Sequence, residues 1–244
     1  MTLNLRTAPP WLATVLLAAD DTEESVMGTD LHQVAIFEAY GQLEQYAREI
    51  GAEGVPAWYV SSQVTVIVRL PRKSAPWRPK PDLFVVPGVP AHSRSSYDTR
   101  TEGPMPAFIL EVASESTWHN DVEEKTTLYN LTGVREYLVF DPTQEHLKRP
   151  MRGWHRVADK WSEWEPLRRA DGTAVWESAV LGLAVRPEGF LVRFDHPQRG
   201  PLPLRRELAA LAARLAEREQ ELQEAQRQLA EVQAELRRLQ EKER

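Results

Sequence analysis

The sequence predicts a mixed α/β domain over residues 1 to 203, a sheet core flanked by helices, followed by a coiled-coil helix over residues 204 to 244. Three observations carry that expectation. Short runs rich in β-branched and aromatic residues, LFVV and FILEVA among them, have the near-continuous apolar character of strands in the middle of a sheet. Between FILEVA and EYLVFDP stands a helical stretch, VEEKTTLYNLTG, so that strand, helix and strand form a crossover. Finally, Leu208, Leu215, Leu222, Leu229 and Leu236 recur every seventh residue, with Leu211, Val232 and Leu239 three residues after their partners. That is an a/d seam of about five heptads. A chain of 244 residues with 42% apolar content holds one well-buried domain and such an appendage.

Taken in order, the leading segment MTLNLRTAPPWLATVLLAADD is too weakly apolar for a signal peptide. No stretch approaches the roughly 18 apolar residues of a spanning helix, so a cytoplasmic location is expected. Thr29 is expected to open a helix through DLHQVAIFEAYGQLEQYAREI, with Val34, Phe37, Leu43 and Tyr46 mostly on one face and Gly51 as its stop. WYVSSQVTVIVRL reads as a strand or hairpin arm, closed by PRKSAPWRPKP. Lys80, Pro81 and Asp82 lead into the strand LFVV, and a long polar loop from Gly88 to Met105 is a candidate substrate-facing element. After FILEVA, SESTWHND is turn and cap chemistry fastened by Ser114 and Ser116; the next helix packs through Tyr129 and ends at Gly133. From Trp154 onward, GWHRVADKWSEWEPL, the segment around AVLGLAV, and FLVRF are expected to extend the same sheet as antiparallel strands, with Trp154, Trp161 and Trp164 on a packed face. In the C-terminal seam Arg218 and Ala225 interrupt the d column. Self-association as a homodimer through residues 204 to 244 is expected, with a solvated single helix as the plainer alternative.

The chain has no cysteine, which excludes a disulfide framework and a thiolate zinc site and leaves metal binding to carboxylates and histidines. A net charge of -6 argues against a broadly basic nucleic-acid-binding surface. Residues 205 to 244 carry nine basic and nine acidic side chains, so the surplus acid lies in the first domain and any nucleic-acid groove must be local. The one local cluster of positive charge is read as Lys148, Arg149, Arg152, His155 and Arg156, with Lys160, Arg168 and Arg169 nearby. Of these, Arg149, Arg152 and Arg156 are the candidate nucleic-acid-binding residues. A solvated hairpin face explains the same residues equally well.

The chemistry concentrates on Asp82 at the start of one buried strand, Glu111 inside the next, and Lys125 on the helix that follows. Carboxylates on buried strands are costly unless something pairs with them. Two of them from adjacent strands can hold magnesium through oxygen ligands, with the Val112 backbone carbonyl as a further ligand and a lysine to orient or deprotonate a water for attack on phosphate. Each residue also has a plainer reading: Asp82 as a strand-leading turn, Glu111 as the partner of an ion pair with Lys125, and Lys125 as a solvent-facing helix residue. Glu38 on the first helix and Asp121 at a helix start are accessory candidates. His32 is read as a cap or packing residue rather than a ligand.

The ordered series RPKPDLFVV, RSSYDTRTEG, FILEVASEST and D-x-x-x-K with LYNLTGVREYLVFDP resembles the Uma-type group of restriction-endonuclease-like domains in the PD-(D/E)XK nuclease superfamily, over roughly residues 20 to 200. The resemblance implies a restriction-endonuclease-like mixed α/β core, with Asp82 as the motif aspartate and Glu111 as the motif glutamate. It also implies magnesium-dependent hydrolysis of DNA, with manganese as a substitute ion. The parent pattern places a lysine two residues after the glutamate, where this chain has Ala113; Lys125 is expected to take its place from the following helix. The alternative is a nuclease-fold binding or scaffold protein without turnover, assembled through its coiled coil.

Overall fold

A computed structural model describes residues 23–69 and 75–242, with side chains for 30–69, 75–234 and 237–240. The leading segment that bears the signal-peptide expectation, residues 70–74, and the side chain of Leu236 lie outside the described residues. The chain divides into two compact units, Met1–Leu202 and Pro203–Arg244.

In chain order the first unit contains α1 (Glu23–Glu49), β1 (Trp58–Ser61), β2 (Thr65–Ile67), β3 (Leu83–Pro87), β4 (Ser96–Asp98), β5 (Phe108–Val112), α2 (Trp118–Val122), α3 (Glu124–Thr132), β6 (Glu136–Phe140), β7 (Met151–Val157), β8 (Lys160–Glu163), β9 (Leu167–Arg168), β10 (Ala174–Ser178), β11 (Leu183–Glu188), β12 (Leu191–His196) and β13 (Gly200–Pro201). The main sheet has six strands in the order β1-β3-β5-β6-β7-β8. Only β5 and β6 run parallel, because only they are joined through a helical crossover. Its central strands are buried on both faces. Leu83, Val85, Phe108, Leu110, Leu138 and Phe140 meet α1 and the second sheet, whereas Phe84, Ile109, Tyr137 and Val139 meet Tyr129, Val66 and Tyr97.

The expected helix starts earlier than Thr29. Gly28 lies inside α1, as an interior glycine costs a helix only about 1 kcal/mol. The buried face of α1 runs through Leu31, Ala35, Ile36, Ala39, Leu43 and Tyr46, while Phe37 points outward. The polar loop from Gly88 to Met105 contains a strand, β4, which pairs parallel with β2. Arg94 pins it: its guanidinium lies 4.1 Å over the Tyr59 ring, pairs with Glu102 at 2.8 Å and donates to the carbonyls of Pro90 and His92.

The C-terminal strands do not all extend the main sheet. β7 and β8 do, but β13-β12-β11-β10-β9 form a separate five-stranded antiparallel sheet. Within AVLGLAV the chain turns rather than running straight, and the cause is the buried Glu136. Its carboxylate accepts from the Ser178 hydroxyl, from Ala179 N at 2.8 Å and from Val180 N at 3.1 Å, bending the chain before Leu183. Gln42 ties α1 to this sheet, donating to Val192 O at 2.9 Å and accepting from Phe194 N at 3.2 Å. The sheets also meet at Gly153, where Trp176 of the second sheet crosses β7 and donates through Nε1 to Trp164 O at 2.7 Å.

The second unit is one 38-residue helix, α4 (Arg205–Lys242), about 57 Å long. Leu211, Leu215, Leu222, Leu229, Val232 and Leu239 are all exposed along it. Among the described residues, no helix is long and apolar enough to cross a membrane.

A methyl group at Gly153 would stand 2.6 Å from Leu138 Cδ2 and 3.2 Å from the Trp176 ring. Gly153→Ala is therefore expected to destabilise the fold by about 1–3 kcal/mol, read as a lower urea midpoint with an unchanged slope.

Candidate active site

The register of β3 against β5 builds the site. Leu83 stands opposite Leu110 and Phe84 opposite Ile109. One step further along, the same register sets Asp82 opposite Glu111. Opposed residues of an antiparallel pair share a face, with Cβ atoms about 4.5–5.5 Å apart. Two hydrogen bonds lock the pairing: Val112 N donates to Asp82 Oδ2 at 2.9 Å, and Asp82 N donates to Glu111 Oε2 at 3.2 Å.

The crossover after β5 supplies the cation. Ser114 N donates to Thr117 Oγ1 at 3.3 Å, and the Ser114 hydroxyl lies 3.3 Å from Ser116 Oγ and 2.9 Å from Thr117 Oγ1. The expected turn is therefore followed at once by a short helix, α2, which kinks at Glu123 into α3. Gly133, at φ 87°, ends α3 in the left-handed conformation that suits glycine. Residues 121, 125 and 129 follow at spacings of four, so their side chains rise on one helical face toward the strand end. Lys125 Nζ stands 2.9 Å from Glu111 Oε1 and 2.7 Å from Asp121 Oδ1. Tyr129 OH donates to Glu111 Oε1 at 2.9 Å, and Tyr137 OH donates to the Asp121 backbone carbonyl at 2.8 Å.

His32 completes the cluster from α1. Its Nε2 lies 3.6 Å from Asp82 Oδ2. His32, expected as a cap or packing residue, and Asp121, expected at a helix start and as an accessory residue, both stand in the cluster. A histidine nine residues into a long helix carries no local mark of a contact made 50 residues away.

Three carboxylates thus gather at the strand end, one ammonium bridges two of them, and water reaches the group unevenly. The side chains of Glu111 and Asp121 are 2% and 1% exposed, against 15% for Asp82, 17% for His32 and 18% for Lys125. Burial pushes the Glu111 carboxyl up to about 7; Lys125 opposes this, and the neighbouring charges of Asp82 and Asp121 reinforce it. Burial likewise raises Asp121, again against Lys125. Burial alone would lower the Lys125 ammonium, but Glu111 and Asp121 outweigh it and hold its pKa above the ordinary value. The Asp82 carboxylate beside it raises His32, against the effect of burial. By contrast, the fully buried Asp141 at the end of β6 accepts from the backbone N–H groups of Thr143, Gln144, His146 and Leu147 and from the Thr143 hydroxyl, so its charge is answered within its own turn.

Among the described residues no three His, Asp or Glu side chains are placed to hold a metal ion as a cage. Asp82 and Glu111 are the residues that could hold a divalent ion; magnesium commonly takes one or two carboxylates and leaves its remaining positions to water and substrate oxygens. Asp82 Oδ1 bears no hydrogen bond among the described residues, and the local surplus of negative charge is what a divalent ion would relieve.

The other candidates lie elsewhere. Glu38 is buried on α1, six residues beyond His32, and the carboxylates that weigh most on Glu111 are Asp82 and Asp121. Two of the three candidate arginines of the expected positive cluster are paired with acids. Arg149 pairs with Glu165 at 2.8 Å and Arg152 with Glu163 at 2.9 Å, while Arg156 donates to the carbonyl and side chain of Asn130. Nor is it the one basic stretch. Arg69, Arg72, Lys73, Arg78 and Lys80 fall in a segment with no Asp or Glu, a signal present in the sequence and passed over as loop composition.

Comparison with known proteins gives two findings. The family model Uma2, described as "Putative restriction endonuclease", matches residues 17–185. Five solved chains match. One is the crystal structure of a "putative nuclease" of the family DUF820 from Anabaena variabilis, 9% identical, with a TM-score of 0.39, covering 58% of this chain and 73% of that one. No curated protein matches.

The imbalance of charge makes two stability predictions, both for metal-free protein. Lys125→Met leaves Glu111 and Asp121 without their shared ammonium and is expected to destabilise by about 3–5 kcal/mol. Glu111→Gln should act oppositely. A carboxyl raised in the fold from 4.5 to about 7 contributes stability below its unfolded value and loses it as pH rises through 7. Glu111→Gln is therefore expected to stabilise on the order of 1 kcal/mol at pH 8 and to approach wild type near pH 5, read by thermal melts in EDTA.

Proposed function

Because the chain belongs to the Uma2 family of restriction-endonuclease-like proteins, we propose that it is a divalent-metal-dependent endonuclease hydrolysing DNA phosphodiester bonds, with magnesium as its ion and manganese as a substitute. One observation supports this above the rest: the β3–β5 register faces Asp82 with Glu111 on one side of the sheet, and Lys125 caps the pair from the crossover helix.

Asp82 and Glu111 would hold the ion, with the Val112 carbonyl beside them. A bound divalent ion polarises the phosphate and lowers the pKa of its water. His32 and Val112 N fix Asp82 through Oδ2 and leave Oδ1 for a ligand. Tyr129 fixes Glu111 through Oε1. Lys125, held protonated between Glu111 and Asp121, is suited to steadying anionic charge on the phosphate rather than to taking a proton from water. Asp121 keeps the ammonium charged and in place.

The exposed heptad face of α4 is assigned to a second copy of this chain. A dimer would present two sites to the two strands of a duplex. A cytoplasmic setting suits that substrate.

Cleavage of supercoiled and linear DNA with magnesium or manganese tests the reading. Wild type should cut, and Asp82→Asn, Glu111→Gln and Lys125→Met should each lose about 10²-fold or more. Equal cutting by all four would mark a contaminant, and absence of cutting by wild type would favour a binding or scaffold role. Leu222→Glu with Leu229→Glu should convert a dimer to a monomer in sedimentation velocity; an unchanged profile would remove the seam from self-association.

A further inference from the structure

The strand β2 and the chain leading back into β3 form a narrow antiparallel arm. Val68 and Trp77 exchange backbone hydrogen bonds, at 2.9 Å from Val68 N and 2.7 Å from Trp77 N, and Val66 N donates to Pro79 O at 2.8 Å. Side chains opposed across such a pair share a face, and successive ones alternate. Val66, Val68 and Pro79 are buried, and the Trp77 ring packs 5.1 Å from that of Tyr129. The opposite face therefore carries Arg69, Arg78 and Lys80, all exposed. Among the described residues none of the three has an ion-pair partner.

Arg48, Arg94, Arg169, Arg186 and Arg199 elsewhere in the unit are each matched to an acid of the chain, and these three are not. No Asp or Glu stands between Arg69 and Pro81 in the sequence. The acid on the adjoining strand β4, Asp98, is engaged in accepting from Arg100 N at 2.9 Å. The arm also has a fixed relation to the site. Lys80 stands two residues before Asp82, and Trp77 rests on the tyrosine whose hydroxyl holds Glu111.

We propose that Arg69, Arg78 and Lys80 form the phosphate-binding surface that seats the DNA backbone beside Asp82 and Glu111. The proposal rests on the nuclease reading for its substrate and adds the contact through which that substrate is held. An acidic protein attracts a polyanion only where its cations are local and free of internal partners, and both conditions meet on this face. Contacts of this kind are independent of base sequence and sensitive to salt.

The test is binding of a short fluorescein-labelled DNA duplex by the full chain in EDTA, followed by anisotropy over a series of salt concentrations. Each phosphate contact contributes about 0.9 to the slope of log affinity against log salt. Arg69→Gln, Arg78→Gln and Lys80→Gln combined should weaken binding at least tenfold at low salt and flatten the slope by about 2 to 3, with the melting temperature unchanged because all three side chains are exposed. An unchanged slope in the triple variant overturns the proposal, as does a loss confined to Arg149→Gln with Arg152→Gln, or no binding by wild type. The two readings separate cleanly. Cutting that depends on Asp82 and Glu111 alongside unaltered binding by the triple variant removes the arm alone. Salt-dependent binding lost in the triple variant, from a wild type that never cuts, keeps the arm and removes the nuclease.

Discussion

Three carboxylates crowd the strand ends, and the two that share one ammonium have almost no water. Buried like charges repel, and a buried charge without a partner is among the costliest features a fold can carry. The surrounding hydrogen bonds divide this load. Tyr129 and the Asp82 backbone hold Glu111, His32 and the Val112 backbone hold Asp82, and Lys125 bridges Glu111 to Asp121. Lys125 offsets part of the negative charge, and burial of Glu111 shifts its carboxyl toward the neutral form.

The scaffold explains why the cluster can persist. β3 and β5 are covered on both faces, so their register cannot slip without moving every apolar side chain to the wrong side. The parallel step from β5 to β6 forces a helical crossover, and its first turns deliver Asp121 and Lys125 to the strand end. On the far side, Gln42 fastens α1 to the second sheet, and the same helix carries His32. The cluster is therefore anchored from both layers of the domain.

Much of this was legible in the sequence. The buried strands LFVV, FILEVA and EYLVFDP, the crossover between them and the three residues Asp82, Glu111 and Lys125 could be named from local pattern, because apolar run length and the stop at Gly133 are local properties. His32 and Asp121 were undervalued because their contacts depend on how α1 and α2 dock, which periodicity does not report. The second sheet was hidden for a similar reason: Glu136, far upstream, dictates the turn after Ser178. Arg149 and Arg152 looked like a basic patch in one dimension, but strand pairing sets Glu163 and Glu165 against them. The strand β4 escaped notice because three polar-flanked residues do not form a recognisable run.

Ala113 follows β5 on the face that carries Glu111, and its methyl group is buried in the layer that contains Tyr129. A small apolar side chain there brings no charge, so the ammonium that meets Glu111 and Asp121 comes from the crossover helix. The neutralisation of these carboxylates is thereby tied to the docking of α3. Local opening that lifts the helix from the strand end also withdraws the cation, so loosening of the crossover and exposure of the buried carboxylates are one event.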